Sequence, residues 1–356
     1  MHGIVPSVWE QASSIDRTVS VKITDLDGLI KKRVNPQSYS RARLFSAMAR
    51  GRICLFSDFS VPVLTQSVTN KLDYLLSGIE TSFHSNRNVT VQAGPRSRLS
   101  RVSVTQLMDR WKRSRAIVSV TDLHFRGTRF EKLVDISPLS DFNVLCSDPK
   151  FRTELMEQIE MMTLVISSKG NITDNHTDDC DGSNHCFVGK KLWLAWDRME
   201  GRARGFQDVD RDGIVDTAAF DMKEFILMPS SRWFTVNDGE TLFLPGSFTH
   251  KVITLEPYIG LGSFHVALPS YIRCLQRWIL YDTLDVGPKK LLEKINDAVI
   301  RRIQRLQKTE VQFCERWGLR EMKKSISFWR QSENKQLKES LFRHPLFADF
   351  LSAATR

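Results

Sequence analysis

Long apolar runs are missing from this sequence. No stretch of 18 consecutive apolar residues occurs in its 356 positions, whereas a helix that crosses a bilayer needs about 20, so no membrane partner is expected. The first residues, MHGIVPSVWEQASSIDR, lack a positive region leading into an apolar core, and no signal peptide is expected. Cys-x-x-Cys is absent too. The six cysteines, at 54, 146, 180, 186, 274 and 314, are spaced too widely and irregularly for a zinc site built from neighbouring thiols or for a small disulfide scaffold. Glycine (18) and proline (12) are too sparse for a collagen-like chain.

What is present describes a globular protein. Hydrophobic residues make up 41% and charged residues 26%, and 21 Phe with 8 Trp supply bulky core material. Lys and Arg number 51 against 41 Asp and Glu, a net charge of +10. That excess permits an anionic partner without requiring one. Asn-x-Ser/Thr acceptors stand at Asn88, Asn171 and Asn175. Two of them fall inside the segment that carries the chemistry below, where a glycan would obstruct it, so an intracellular location is expected.

Three regions follow from patterning. Residues 1–114 mix short helical and alternating runs. VSVKITDLDGLIKK begins as a strand, KLDYLLSGIETSF reads as a helix, and VSVTQLMDRWKRSR sets Leu107, Met108 and Trp111 at helical spacing beside basic residues. That basic cluster is either a solvated helix face or a contact for nucleic acid or an acidic protein. Residues 115–285 hold a series of short apolar or alternating runs (AIVSVTD, TLVISS, KKLWLAWD, EFILMP, ETLFLPG, HKVITLE, GSFHVAL), most of them separated by Gly, Pro, Asn or Asp, with one helix, FRTELMEQIEMM, before most of them. Such a series describes an antiparallel sandwich or barrel. Residues 286–356 are helical. Leu292, Ile295, Val299, Ile303 and Leu306 form one apolar stripe, suited to packing on the core or to homodimerisation, with nucleic-acid contact a further reading of this basic tail. DVDRDGIVD (208–216) looks like a calcium loop, but Ala219 stands where an EF-hand needs Glu. It is expected to be an acidic inserted loop, with calcium binding or attraction of a basic substrate as the other readings.

The chemistry sits in two segments. In NITDNHTDDCDGSNHCFVGKKLWLAWD (171–197), His176 and Asp178 are two residues apart, which places an imidazole and a carboxylate on one side of a strand. In GETLFLPGSFTHKVITLE (239–256), His250 opens a strand after a Gly/Pro-rich bend. Two histidines and one carboxylate leave up to three positions of an octahedral ion open, which suits Fe(II) and suits a closed four-ligand structural zinc site poorly. A His-x-Asp pair alone is common in structural and surface positions. The order of Thr173, His176, Asp178, Gly189-Lys190-Lys191, Trp193, Gly239, Pro245 and His250 carries the assignment further.

In that order the sequence resembles the JmjC (jumonji C) family of cupin-fold, Fe(II)- and 2-oxoglutarate-dependent oxygenases. The resemblance implies a mainly β chain with a double-stranded β-helix (jelly-roll) core over 115–285, mixed elements before it and helices after it. It implies iron on His176, Asp178 and His250, with 2-oxoglutarate as co-substrate held by Lys191 and Thr173. His265, on the late strand GLGSFHVAL, would join them in cofactor binding, donating to 2-oxoglutarate or to water or acting from just behind the residues that do. The activity implied is hydroxylation of a protein side chain or demethylation of methyl-lysine, histone included, in the nucleus or cytoplasm. The alternative is a weakly active or inactive JmjC-like chromatin scaffold.

Overall fold

The computed structural model describes residues 4–355 apart from 60, 62–69, 84–87, 93–98, 114–116, 126–127, 136–142, 145–161, 179, 207–219, 282–289, 309–312 and 332–334. Strands among them are β1 (Cys54–Phe56), β2 (Asn88–Gln92), β3 (Leu99–Ser103), β4 (Ser119–Leu123), β5 (Met162–Ser167), β6 (Ile172–Thr177), β7 (Asp181–Asp197), β8 (Arg232–Asn237), β9 (Thr241–Leu244) and β10 (Phe248–His265). The helices used below are α1 (Ile4–Ile15), α2 (Leu26–Lys32), α3 (Arg41–Arg50), α4 (Lys71–Ser82), α5 (Val104–Lys112), α6 (Arg198–Ala203), α7 (Met222–Leu227), α8 (Tyr271–Tyr281) and α9 (Lys290–Lys308).

β7 and β10 organise the sheet. They pair antiparallel from Phe248↔Asp197 to His265↔Asp181. The hydrogen-bonded order is β1-β9-β7-β10-β5-β4-β2-β3, with β6 on the first half of β10 and β8 on the second half of β7. The β7–β10 register shifts between Thr254 and Gly260, and irregularities of this kind bend a strand. Each long strand thereby serves two halves. Val165, Leu242 and Leu244 from one half meet Trp193, Phe234, Val236 and Val252 from the other in a shared apolar cluster.

The expected jelly roll is not what forms. The described chain is about half helix and under a third strand, and its sheet is open, not closed into a barrel. Among the described residues no ladder joins β1 to β3, the two ends of the order. Alternating apolar runs identify strands but not their partners. Here the ends of the sheet are taken by β1 and by the β2–β3 hairpin, all from the first third of the chain, so the sheet is extended where a barrel would close it. The fold is therefore a mixed α/β one.

Other segments also differ from expectation. HKVITLE and GSFHVAL are the two ends of the single strand β10. EFILMP lies largely in α7, because the Asp221 carboxylate accepts hydrogen bonds from the Lys223 and Glu224 amides and so caps a helix there. VSVKITDLDGLIKK forms short 3₁₀ turns and α2 in place of a strand. The expected helix FRTELMEQIEMM lies almost wholly, and the acidic loop 208–216 wholly, outside the described residues.

Helices cover the outer faces of the sheet. α3, α4, α5, α8 and α9 contribute to the largest core, in which Ile295, Val299, Ile303 and Leu306 of the α9 stripe are buried. A second cluster joins Val8, Trp9 and Ala12 of α1 and Leu29 of α2 to Leu192, Leu194 and Trp196 of β7 and Ile253 and Leu255 of β10. No described helix is long and apolar enough to cross a membrane.

Candidate metal centre

His176, Asp178 and His250 come together. One ligand atom from each lies within 4.8 Å of the others. Nε2 of His250 is 3.8 Å from Oδ2 of Asp178, and the two imidazole centroids are 4.0 Å apart. Cross-strand pairing does this, since His176 on β6 stands opposite His250 on β10. Asp178, two residues on, lies just past the strand end. Its backbone is gripped from α8, where Arg277 donates to the carbonyls of Asp178 and, at 3.4 Å, of Thr177.

Each imidazole is oriented from behind. Nδ1 of His176 lies 2.8 Å from the Asp174 carbonyl oxygen. A carbonyl only accepts, so Nδ1 carries a proton, and in the neutral ring it is Nε2 that keeps the lone pair an ion needs. His250 is 2% exposed on its strand, and Trp193 stacks on its ring at 5.2 Å and 25°. Burial, with the His176 ring adding to it, pushes its pKa down to about 3. At neutral pH His250 is a neutral, ligand-ready imidazole.

A cavity of about 140 Å³ opens behind the triad, room for an ion and several groups the size of a water. Thr173, Ser183, Asn184, Lys191, Trp193 and Ser263 are among the polar residues that line it. Thr173 and His176 are three residues apart and would point to opposite faces of a regular strand. A bulge resolves this. Between the pairs His250↔His176 and Val252↔Thr173, the two residues Asp174 and Asn175 stand opposite Lys251 alone. The strand changes face there, and both Thr173 and His176 line the cavity.

Lys191 is 3% exposed, its ammonium 4.3 Å from the centroid of the Tyr258 ring. Burial pushes its pKa down to about 7. Lys190, its neighbour, is not among the cavity residues and pairs with Asn237 and Glu256. His265 is also outside the lining; its Nε2 meets Oγ of Ser183, which does line the cavity, at 2.8 Å. Burial pushes the His265 pKa down to about 3. Two buried polar atoms on the cavity wall, Nε1 of Trp193 and Oγ of Ser263, find no protein partner, and buried polar groups are normally hydrogen-bonded.

Sequence reasoning missed Arg277, which lies 99 residues from the carbonyl it holds and carries no local signal. It also missed Lys251. A lysine flanked by His250 and Val252 in an apolar run breaks the pattern of the strand, and that was a signal available to be used.

Neither a scan against protein-family models nor a search of curated proteins finds a match. The JmjC-like reading does not hold. Without a closed β-helix the architecture implied for an Fe(II)/2-oxoglutarate dioxygenase is not there, and the activities that rested on it (hydroxylase, histone demethylase, or inactive chromatin scaffold) fall with it. What stands is a cluster of two histidines and one aspartate able to hold a metal ion.

Proposed function

We propose that this chain is a metal-binding protein that holds one divalent transition-metal ion on His176, Asp178 and His250 and a small anionic ligand beside it. The observation that carries the reading is the convergence of the three donor atoms within 4.8 Å at a cavity whose wall has unsatisfied polar groups. Imidazole nitrogens and a carboxylate suit ions such as Zn(II), Mn(II), Co(II) or Fe(II), and three protein ligands leave positions for a further molecule. A bound ion would act there as a Lewis acid on what shares its coordination sphere. In this reading Lys191 and Thr173 contact the anion, and His265 backs the wall through Ser183. Fe(II) and 2-oxoglutarate are one ion and one anion of these classes, and the donor set does not single them out. The test is titration of chelator-treated protein with Co(II), Zn(II), Mn(II) and, anaerobically, Fe(II), followed by calorimetry. One ion per chain is expected. Absence of uptake by folded protein overturns the reading.

A pH dependence follows from Lys191. A carboxylate stabilises the ammonium form, so binding restores a proton that burial has made easy to lose. The folded-state pKa is depressed to about 7, so below that pH the lysine is already charged and affinity is flat. Above it each binding event takes up a proton, and affinity falls by about tenfold per pH unit. Calorimetry with 2-oxoglutarate or succinate and the metal-loaded protein at pH 6.5 and 8.5, in buffers of different ionisation heat, measures both effects. Lys191→Met should weaken binding and abolish the proton uptake. A wild-type affinity independent of pH would remove Lys191 from the anion site.

A further inference from the structure

We propose that Lys251, held between Asp16 and Asp174, is a positioning residue for the metal centre, and that through it the N-terminal segment of the chain sets metal affinity. The inference rests on the metal-binding reading above and adds residues that touch neither ion nor ligand.

Lys251 lies between His250 and Val252, two residues that face the cavity, and therefore points to the opposite face of β10. It is 1% exposed, and its Nζ lies 2.9 Å from Oδ2 of Asp16 and 3.2 Å from Oδ1 of Asp174. Asp174 belongs to the β6 bulge that stands opposite Lys251. The same residue presents its carbonyl to Nδ1 of His176. One ammonium thus sits next in sequence to one ligand and grips the residue that orients another. It also fixes the bulge that turns Thr173 and His176 to a common face.

Asp16 brings in the N-terminal segment. It follows α1, and its amide donates to the Ala12 carbonyl. Its Oδ1 accepts from the amide of Thr18 at 2.9 Å and from the Thr18 hydroxyl at 2.7 Å, leaving Oδ2 for Lys251. The carboxylate is fixed before it meets the lysine. The surroundings are apolar: Leu192, Leu194, Ile253 and Leu255 of the sheet meet Val8, Trp9 and Ala12 of α1 in one cluster. Buried charges there are costly unless well paired, and an apolar side chain would hold the layers together as well or better. Placing Asp16, Lys251 and Asp174 behind the ligand strands is what a role in ligand orientation requires, and groups behind the ligands tune metal affinity by roughly 10–100-fold.

The test uses the whole 356-residue chain with Co(II) as the probe metal. Asp16→Asn keeps shape and cuts the tie to α1; Lys251→Met keeps the stem and removes the charge; Lys251→Arg keeps the charge. Folding is followed by circular dichroism and thermal melting, and affinity and the visible Co(II) absorption bands by titration. The expected result is at least tenfold weaker binding and a changed band pattern in Asp16→Asn and in Lys251→Met if it folds, with partial recovery in Lys251→Arg. Ile303→Val, in the remote α9 core, serves as the purely structural control and should lower the melting temperature without moving affinity or spectrum. Folded Asp16→Asn with wild-type affinity and spectrum overturns the inference and leaves the metal reading intact. A wild type that takes up no ion overturns both.

Discussion

Replacing His250 by alanine is expected to abolish the rise in thermal stability that metal gives the wild-type protein. An ion that binds only the folded state stabilises it by about 2.7 kcal/mol at a hundredfold excess over Kd, a shift of a few degrees in a chain of this size. Four-ligand sites of the structural kind bind zinc with roughly 10–16 kcal/mol, so one ligand is worth about 3 kcal/mol and its loss costs about a hundredfold in affinity. In the wild type a neutral His250 presents a lone pair without first losing a proton, because burial holds its pKa near 3. The alanine variant also leaves a void beside Trp193, which stacks on that ring, so its melting temperature without metal should fall. Asp178→Asn separates the two effects. It preserves volume at a half-buried position and removes the anionic ligand, and should lose metal stabilisation with little change in the apoprotein. Differential scanning calorimetry with and without Zn(II) reads both quantities. An unchanged metal-induced shift in either variant would remove that residue from the ligand set.

Gly189→Ala is expected to be among the most damaging single substitutions in the chain. Gly189 sits in β7 at the bend opposite Pro257, with φ at +102°. A Cβ there would lie 1.9 Å from the Pro257 carbonyl oxygen and 2.9 Å from Cα of Tyr258. These are backbone atoms, so relief requires β7 and β10 to separate by more than 1 Å. That breaks the pairings of Lys190 with Glu256 and Val188 with Ile259 and displaces Lys191 two residues on. Backbone strain at such a φ costs about 1–3 kcal/mol, and the clash adds to it, so a loss of roughly 4 kcal/mol or more is expected. Gly239→Ala is the control. Its φ is +76°, and a Cβ would meet nothing within 4 Å, so only the strain of about 1 kcal/mol remains. Urea unfolding of the two variants should show midpoints well apart. Equal midpoints would mean that the close approach at Gly189 carries no weight.

Much of the architecture was local and therefore readable. KLDYLLSGIETSF has its cap directly before it, since Asn70 accepts from the Asp73 amide and α4 follows. The runs TLVISS, KKLWLAWD and ETLFLPG alternate or are continuously apolar, and strands form at each. EFILMP misled because its composition is that of a strand while Asp221 before it is a helix cap, and in so short a segment the cap decides. The jelly roll misled for a different reason. Strand composition says that a segment extends, but closure depends on which segments meet at the sheet's ends. Those ends went to β1 and the β2–β3 hairpin, more than 100 residues before β10.

The amino-acid sequence by itself marked His176, Asp178 and His250 as candidate donors, with His176 and Asp178 only two residues apart; strand period does not set their common side, because β6 ends at Thr177 and Asp178 lies beyond it. Only the tertiary structure decided the rest of the site. Thr173 joins His176 because a bulge absorbs one residue against β10. Asp178 is held by Arg277, and Lys251 by Asp16, through contacts spanning 99 and 235 residues. Periodicity reports the face a side chain takes within its own element. It carries no information on which distant charge will be buried against it, because that pairing is set by how layers pack and by the high cost of leaving a buried charge alone.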